Sequence, residues 1–110
     1  MAKSQGDRFS EEHQSMADLA KALSHPARIA ILEILANRNV CVCGDLVLEL
    51  PLSQATVSQH LKVLKEGGLI SGTVEGPKSC YCVDWDQLEA ASKLLQSWFS
   101  RTTSFKSSCC

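Results

Sequence analysis

The stretch Pro51 to Ile70, PLSQATVSQHLKVLKEGGLI, constrains the fold more than any other part of the chain. Pro51 cannot continue a helix from upstream, because its ring removes an amide donor and clashes with the preceding turn. Ser53 is a good N-cap, and Gly67-Gly68 stop what it starts, so a helix is predicted over Gln54 to Glu66. Within it Val57, Leu61 and Leu64 fall at i, i+4 and i+7 and form one apolar stripe. Upstream, Gly44-Asp45 offers a cap for a short helix over Leu46 to Leu50. A short helix, a tight turn at Pro51-Leu52-Ser53 and a longer helix have helix-turn-helix spacing. Downstream, Leu69 to Val74 and Ser79 to Val83 read as strands joined by a turn at Glu75-Gly76-Pro77 and Lys78, a hairpin. A two-stranded ribbon directly after a reading helix is the winged arrangement.

The rest of the chain supplies the support. Met16, Leu19, Ala20 and Leu23 make an apolar stripe on a helix that begins near Ser10. His25-Pro26 interrupts it, and Pro26 suits the first turn of a new helix. Ala27 to Ala36, ARIAILEILA, is apolar on nearly every side, which predicts a helix buried all round at the centre of the core. Asn37 to Asn39 is a loop, and Val40 to Cys43 a short extended piece. Asp84 or Asp86 caps a last helix to about Ser100, with Leu88, Ala91, Leu95 and Trp98 as its stripe. The expected fold is mainly α with a β-hairpin wing, in the order α-α-(short β)-α-α-β-β-α. Residues 1–9 are expected to be a flexible N-terminus, 10–100 the winged helix-turn-helix domain, and 101–110 a flexible tail containing cysteines.

Bulk properties limit the function. The 110 residues are 45% hydrophobic and 21% charged, as a folded domain requires. A core of this size is modest, so burial against a second subunit would help it. No apolar run approaches the ~18–20 residues of a membrane span. The opening MAKSQGDRFSEEHQS has no hydrophobic signal core, and the chain is expected to be cytoplasmic. Eleven basic against twelve acidic residues leave a net charge of −1. A case for nucleic acid therefore rests on local distribution. That distribution is found on the helix after Ser53, which has no acid until Glu66. Gln54 and Gln59 can pair with adenine edges. Thr56 and Ser58 can reach bases or phosphates. Lys62 and Lys65 place charge along the groove wall, and His60 could add to it. Lys78 at the wing tip could meet the DNA backbone. A plain amphipathic surface helix would show the same polar face; the hairpin behind it favours the DNA-reading alternative.

Six cysteines fall in three close pairs, Cys41/Cys43, Cys80/Cys82 and Cys109/Cys110. In a reducing compartment they are expected to be free thiols, suited to metal, metalloid or redox chemistry. Buried cysteine is also a small hydrophobe. Cys80 and Cys82 share one strand face, and two readings stand for them, packing toward the last helix or metal binding.

LSHPARIAILEIL, CVCGDLV, LSQATVSQHLKVLKEGGLI and the hairpin into CYCV together resemble the ArsR/SmtB family of metal-sensing repressors, over about residues 14 to 100. The resemblance implies a winged-helix homodimer through the first and last helices, bound to double-stranded operator DNA, with no cofactor needed for that binding. It also implies an inducer held at Cys41-Val42-Cys43, as in arsenic-sensing members, with trivalent arsenic favoured as a soft ion that takes up to three sulfurs. Here Gly44 precedes Asp45-Leu46, and no third cysteine follows. Either a third sulfur comes from elsewhere, with Cys109 and Cys110 in the tail as candidates, or the two bind an arsenical that already carries a carbon substituent. Family zinc sites use histidine on the last helix, which has none here. Cadmium, lead or copper(I) at the CVC, and a thiol redox switch, remain alternatives. An enzyme such as a small thiol oxidoreductase would want CxxC at a strand-to-helix turn, and the spacings here are CxC, CxC and CC.

Overall fold

In the computed structural model of the protein, the described residues are 8–38, 41–43, 50–73 and 79–107. They form four helices and three strands: α1 (Glu11–Ala22), α2 (Pro26–Arg38), β1 (Val42–Cys43), α3 (Gln54–Glu66), β2 (Ile70–Thr73), β3 (Cys80–Val83) and α4 (Trp85–Thr103). Residues 46–49 of the expected short helix, the wing tip with Lys78, and Cys109 and Cys110 lie outside the described residues.

Each helix starts where the sequence offers a cap. Ser10 accepts from the His13 amide at 3.0 Å, Ser53 from Thr56 at 3.2 Å and Asp84 from Gln87 at 3.1 Å. α2 starts on His25, whose Nδ1 accepts from the Ala27 amide at 3.0 Å, with Pro26 as the first helical residue. The end of α3 needs glycine. Gly68 sits at φ 81°, and the Leu69 amide then reaches back to the Leu64 carbonyl at 3.1 Å while Gly68 reaches Lys65 at 2.9 Å. Those two bonds satisfy carbonyls the helix end would leave open, and buried Leu64 and Leu69 close the turn.

The sheet is antiparallel in the order β1-β3-β2, so the wing hairpin is extended by the strand that precedes the reading unit. Val42 pairs with Tyr81 and Cys43 with Cys80 on one side of β3; Ile70 pairs with Val83 and Thr73 with Cys80 on the other. α2 packs on β3, α3 on β2 and α1 on α4, with α2 and α3 in contact. Their shared core contains Leu19, Ile31, Leu35, Leu61, Leu64 and Tyr81. Burying one such side chain contributes ~1.5–3 kcal/mol.

Two expectations need correction. α2 is not buried all round: Ile31, Leu32 and Leu35 are covered, while Ile29 is 47% exposed, because three helices and a small sheet do not enclose every side of it. α4 continues three residues beyond Ser100. Arg101 holds this last turn by donating to Glu12 of α1, a bond that keeps the Glu12 carboxyl below its ordinary pKa.

Candidate functional site: the reading helix and a four-sulfur face

α3 has two chemically distinct sides. Val57, Leu61 and Leu64 are sealed in the core. Gln54, Gln59, Lys62 and Lys65 are exposed and Ser58 is half-buried, so the amides, the hydroxyl and the two cations form one polar face. Such a face can donate to base edges and offset phosphate charge. Ser53 and Thr56 serve the helix start. The two hydroxyl oxygens lie 2.9 Å apart, and Ser53 also takes the Thr56 amide.

His60 is placed differently from its neighbours. Its ring lies 4.4 Å from that of His25, and its Nδ1 is 3.1 Å from an Arg28 nitrogen. Guanidinium only donates, so Nδ1 accepts and the imidazole is neutral there. Burial, and then the charges of His25 and Arg28, hold its pKa below the ordinary value. Arg28 also donates to the carbonyls of Ala22 at 2.8 Å and Lys21 at 3.1 Å, and to Ser24 Oγ at 2.9 Å. It thereby caps the end of α1 while holding α3. This explains Ser24-His25-Pro26-Ala27-Arg28 residue by residue. One stretch ends α1, starts α2 and fixes the angle of the reading helix. On sequence His60 stands among the DNA-facing candidates, with a structural role as the alternative, and no local pattern gives Arg28 a role. The signal was there only as an arginine four residues after a serine at a helix junction.

The cysteines hold the second site. Because β1 and β3 run antiparallel in this register, Cys41 lies opposite Cys82 and Cys43 opposite Cys80, with Cα–Cα distances of 4.3 and 4.0 Å. The intervening Val42 and Tyr81 point into the core, at 7% and 1% exposure. Side chains alternate along a strand, so all four sulfurs stand on the outer face. Cys41, Cys43 and Cys80 are exposed and Cys82 half-buried. Of the two readings for Cys80 and Cys82, packing toward the last helix is the one the structure does not show, because Tyr81 takes the inner side. Where free thiols are expected in a reducing compartment, the structure holds the four sulfurs in their oxidised form, as two cross-strand disulfides, Cys41–Cys82 and Cys43–Cys80, which reduction returns to thiols. With the sulfurs so joined, no group of three metal-ligating side chains stands open among the described residues.

Comparison with known proteins decides what this arrangement belongs to. The family described as "Bacterial regulatory protein, arsR family" matches residues 25–71. An HTH-type transcriptional regulator of Methanocaldococcus jannaschii, MJ1325, is 35% identical over 86 residues, covering 77% of this chain and 96% of that protein. The chain belongs to the ArsR family. The arsenical resistance operon repressor of Staphylococcus xylosus is 31% identical, over 70% of this chain and 73% of that one. The crystal structure of the ArsR family transcriptional regulator RHA00566 superposes with a TM-score of 0.68 at 14% identity, over 87% and 94% of the two chains, which shows the shared winged-helix fold. As an ArsR-family protein the chain is a DNA-binding transcriptional repressor and not an enzyme. The matched ArsR segment starts at His25 and ends in β2, so it includes Cys41 and Cys43 and stops short of Cys80 and Cys82. No helix among the described residues is long and apolar enough to cross a membrane.

Proposed function

We propose that this protein is a cytoplasmic, homodimeric repressor that holds a palindromic operator through α3 and leaves it when thiolates including Cys41 and Cys43 capture trivalent arsenic, as arsenite or an organoarsenical. One observation carries the reading: an exposed Cys-x-Cys, Cys41 just before β1 and Cys43 at its end, lies ahead of the reading unit. Similarity to an arsenical resistance operon repressor supports it. Two copies of α3 set ~34 Å apart would meet successive major grooves. In each, Gln54, Ser58 and Gln59 meet bases, and Ser53, Thr56, Lys62, Lys65 and Lys78 meet or steer toward phosphates. α1 and α4 form the dimer contact, which fits an α4 with no buried residue in the single chain. Occupied thiolates change the path from β1 into α3 and lower the DNA-competent population; each tenfold loss of operator affinity requires ~1.4 kcal/mol of coupling.

The test is fluorescence anisotropy on DNA from upstream of the gene, with reduced protein and rising arsenite. Arsenite should release the DNA. Unchanged affinity removes arsenic from the reading, and titration with cadmium, lead or copper(I) then decides among the other soft ions. A second reading has its own observation, the pairing of Cys41 with Cys82 and Cys43 with Cys80. In that case oxidation alone, without metalloid, releases the operator.

A further inference from the structure

Two thiols at Cys41 and Cys43 are one short of the three sulfurs that arsenite can take, and none of the residues from Gly44 to Ser53 is a cysteine. We propose that the inducer site bridges two strands, with its three sulfurs drawn from the Cys41, Cys43, Cys80 and Cys82 face. This rests on the arsenic reading above and adds the wing strand to the ligand set.

The geometry is that of a small rectangle. Across the strands the paired Cα atoms are 4.3 and 4.0 Å apart. Along each strand, two residues span ~7 Å. An ion above the centre lies ~4 Å in projection from every corner, within reach of a one-carbon thiol side chain at the ~2.3 Å typical of metal–thiolate bonds. The inner sides of both strands are anchored by buried Val42 and Tyr81, so the corners are preset by the core. Reduction comes first. Each disulfide exchanges with two equivalents of a cellular monothiol, giving two cysteine thiols and one external disulfide. Three thiols then condense with arsenous acid, forming three As–S bonds and releasing three waters, with no change in the oxidation state of arsenic.

The bridge also states what the inducer would act on. β3 lies between β1 and β2, with Ser71 opposite Cys82 and Thr73 opposite Cys80. Drawing sulfurs of β1 and β3 together acts on the strand before the reading helix and on the wing after it.

Arsenic X-ray absorption on reduced, full-length protein tests this. The wild type should show three sulfurs. C80S/C82S should show two and need at least tenfold more arsenite to release the operator, while C109S/C110S should keep three. Three sulfurs retained in C80S/C82S, with two in C109S/C110S, would overturn the bridge in favour of the tail. If C80S/C82S does not fold, alkylation mapping of the wild type replaces it: arsenite should shield Cys41 or Cys43 together with Cys80 or Cys82, and shielding confined to β1 and the tail overturns the proposal. Three strand sulfurs found without any change in operator binding would leave the site standing and sink arsenic control of the operator. A wild type that holds no arsenite sinks both.

Discussion

α3 and α4 are built by similar rules. Each begins at a side-chain cap, carries an apolar stripe at helical spacing and has a basic residue in its last turn. α3 nevertheless buries Val57, Leu61 and Leu64 almost completely, and α4 buries none of its 19 residues. Leu88, Ala91 and Leu95 of α4 are only partly covered by the core, and Phe99 is 56% exposed. The periodicity of a helix states which side is apolar; it does not state what covers that side. For α3 the cover is α2 and β2 of its own chain. For α4, α1 covers one flank, and the rest is the surface assigned above to a second copy.

The largest expected effect tests this contrast directly. Leu64→Ala should cost ~2–5 kcal/mol in urea unfolding, the range for a buried leucine that leaves a cavity. Leu95→Ala should cost less than half of that at protein concentrations low enough to dissociate a dimer, and more at high concentration. Equal losses at all concentrations would erase the distinction between the two helices. Next comes the cap. Ser53→Ala should cost ~1 kcal/mol and weaken operator binding as well, because it frees the start of the reading helix. Asp84→Ala should cost a similar amount with no effect on the DNA contact itself. The smallest effect sharpens what is particular to α3. His60 has a depressed pKa in the folded state, so the unfolded chain binds the proton more readily. Stability should therefore be complete above the unfolded value of ~6.5 and decline as pH falls from there toward the lowered folded value. His60→Gln should flatten that decline in a thermal-unfolding series, and an unchanged slope would mean that His60 does not carry it.

Much of the fold could be read from local chemistry. Ser53 and Gly67-Gly68 bound α3 at the residues where it begins and ends, and the stripe Val57, Leu61, Leu64 is the one that is buried. The antiparallel pairing of β2 with β3 followed from two β-rich runs on either side of the sequence Gly76-Pro77. What stayed hidden was long-range pairing. Each Cys-x-Cys announces that its two sulfurs share a face, but nothing local says that a strand at residue 42 pairs with one at residue 81. The four-sulfur face exists only once that register is known. His60 shows the same limit. Its position on the helix circumference lies between the buried and exposed sides, and a partner 32 residues away, Arg28, determines where the ring goes. Ile29 shows the reverse case, an apolar residue in an apolar run that the single chain leaves uncovered.

Tyr81 standing between Cys80 and Cys82 bears on how such a chain tolerates change in length. Slipping β3 by one place against its neighbours would push the phenol ring into water and carry thiols into the interior, whereas a slip of two would keep the faces but leave only one pair of cysteines opposed across the strands. The chemistry offered to solvent and the packing that keeps the domain folded are thus written in one reading frame. An insertion or deletion within these strands that shifts their register therefore disturbs the packing, the sulfur pairs, or both.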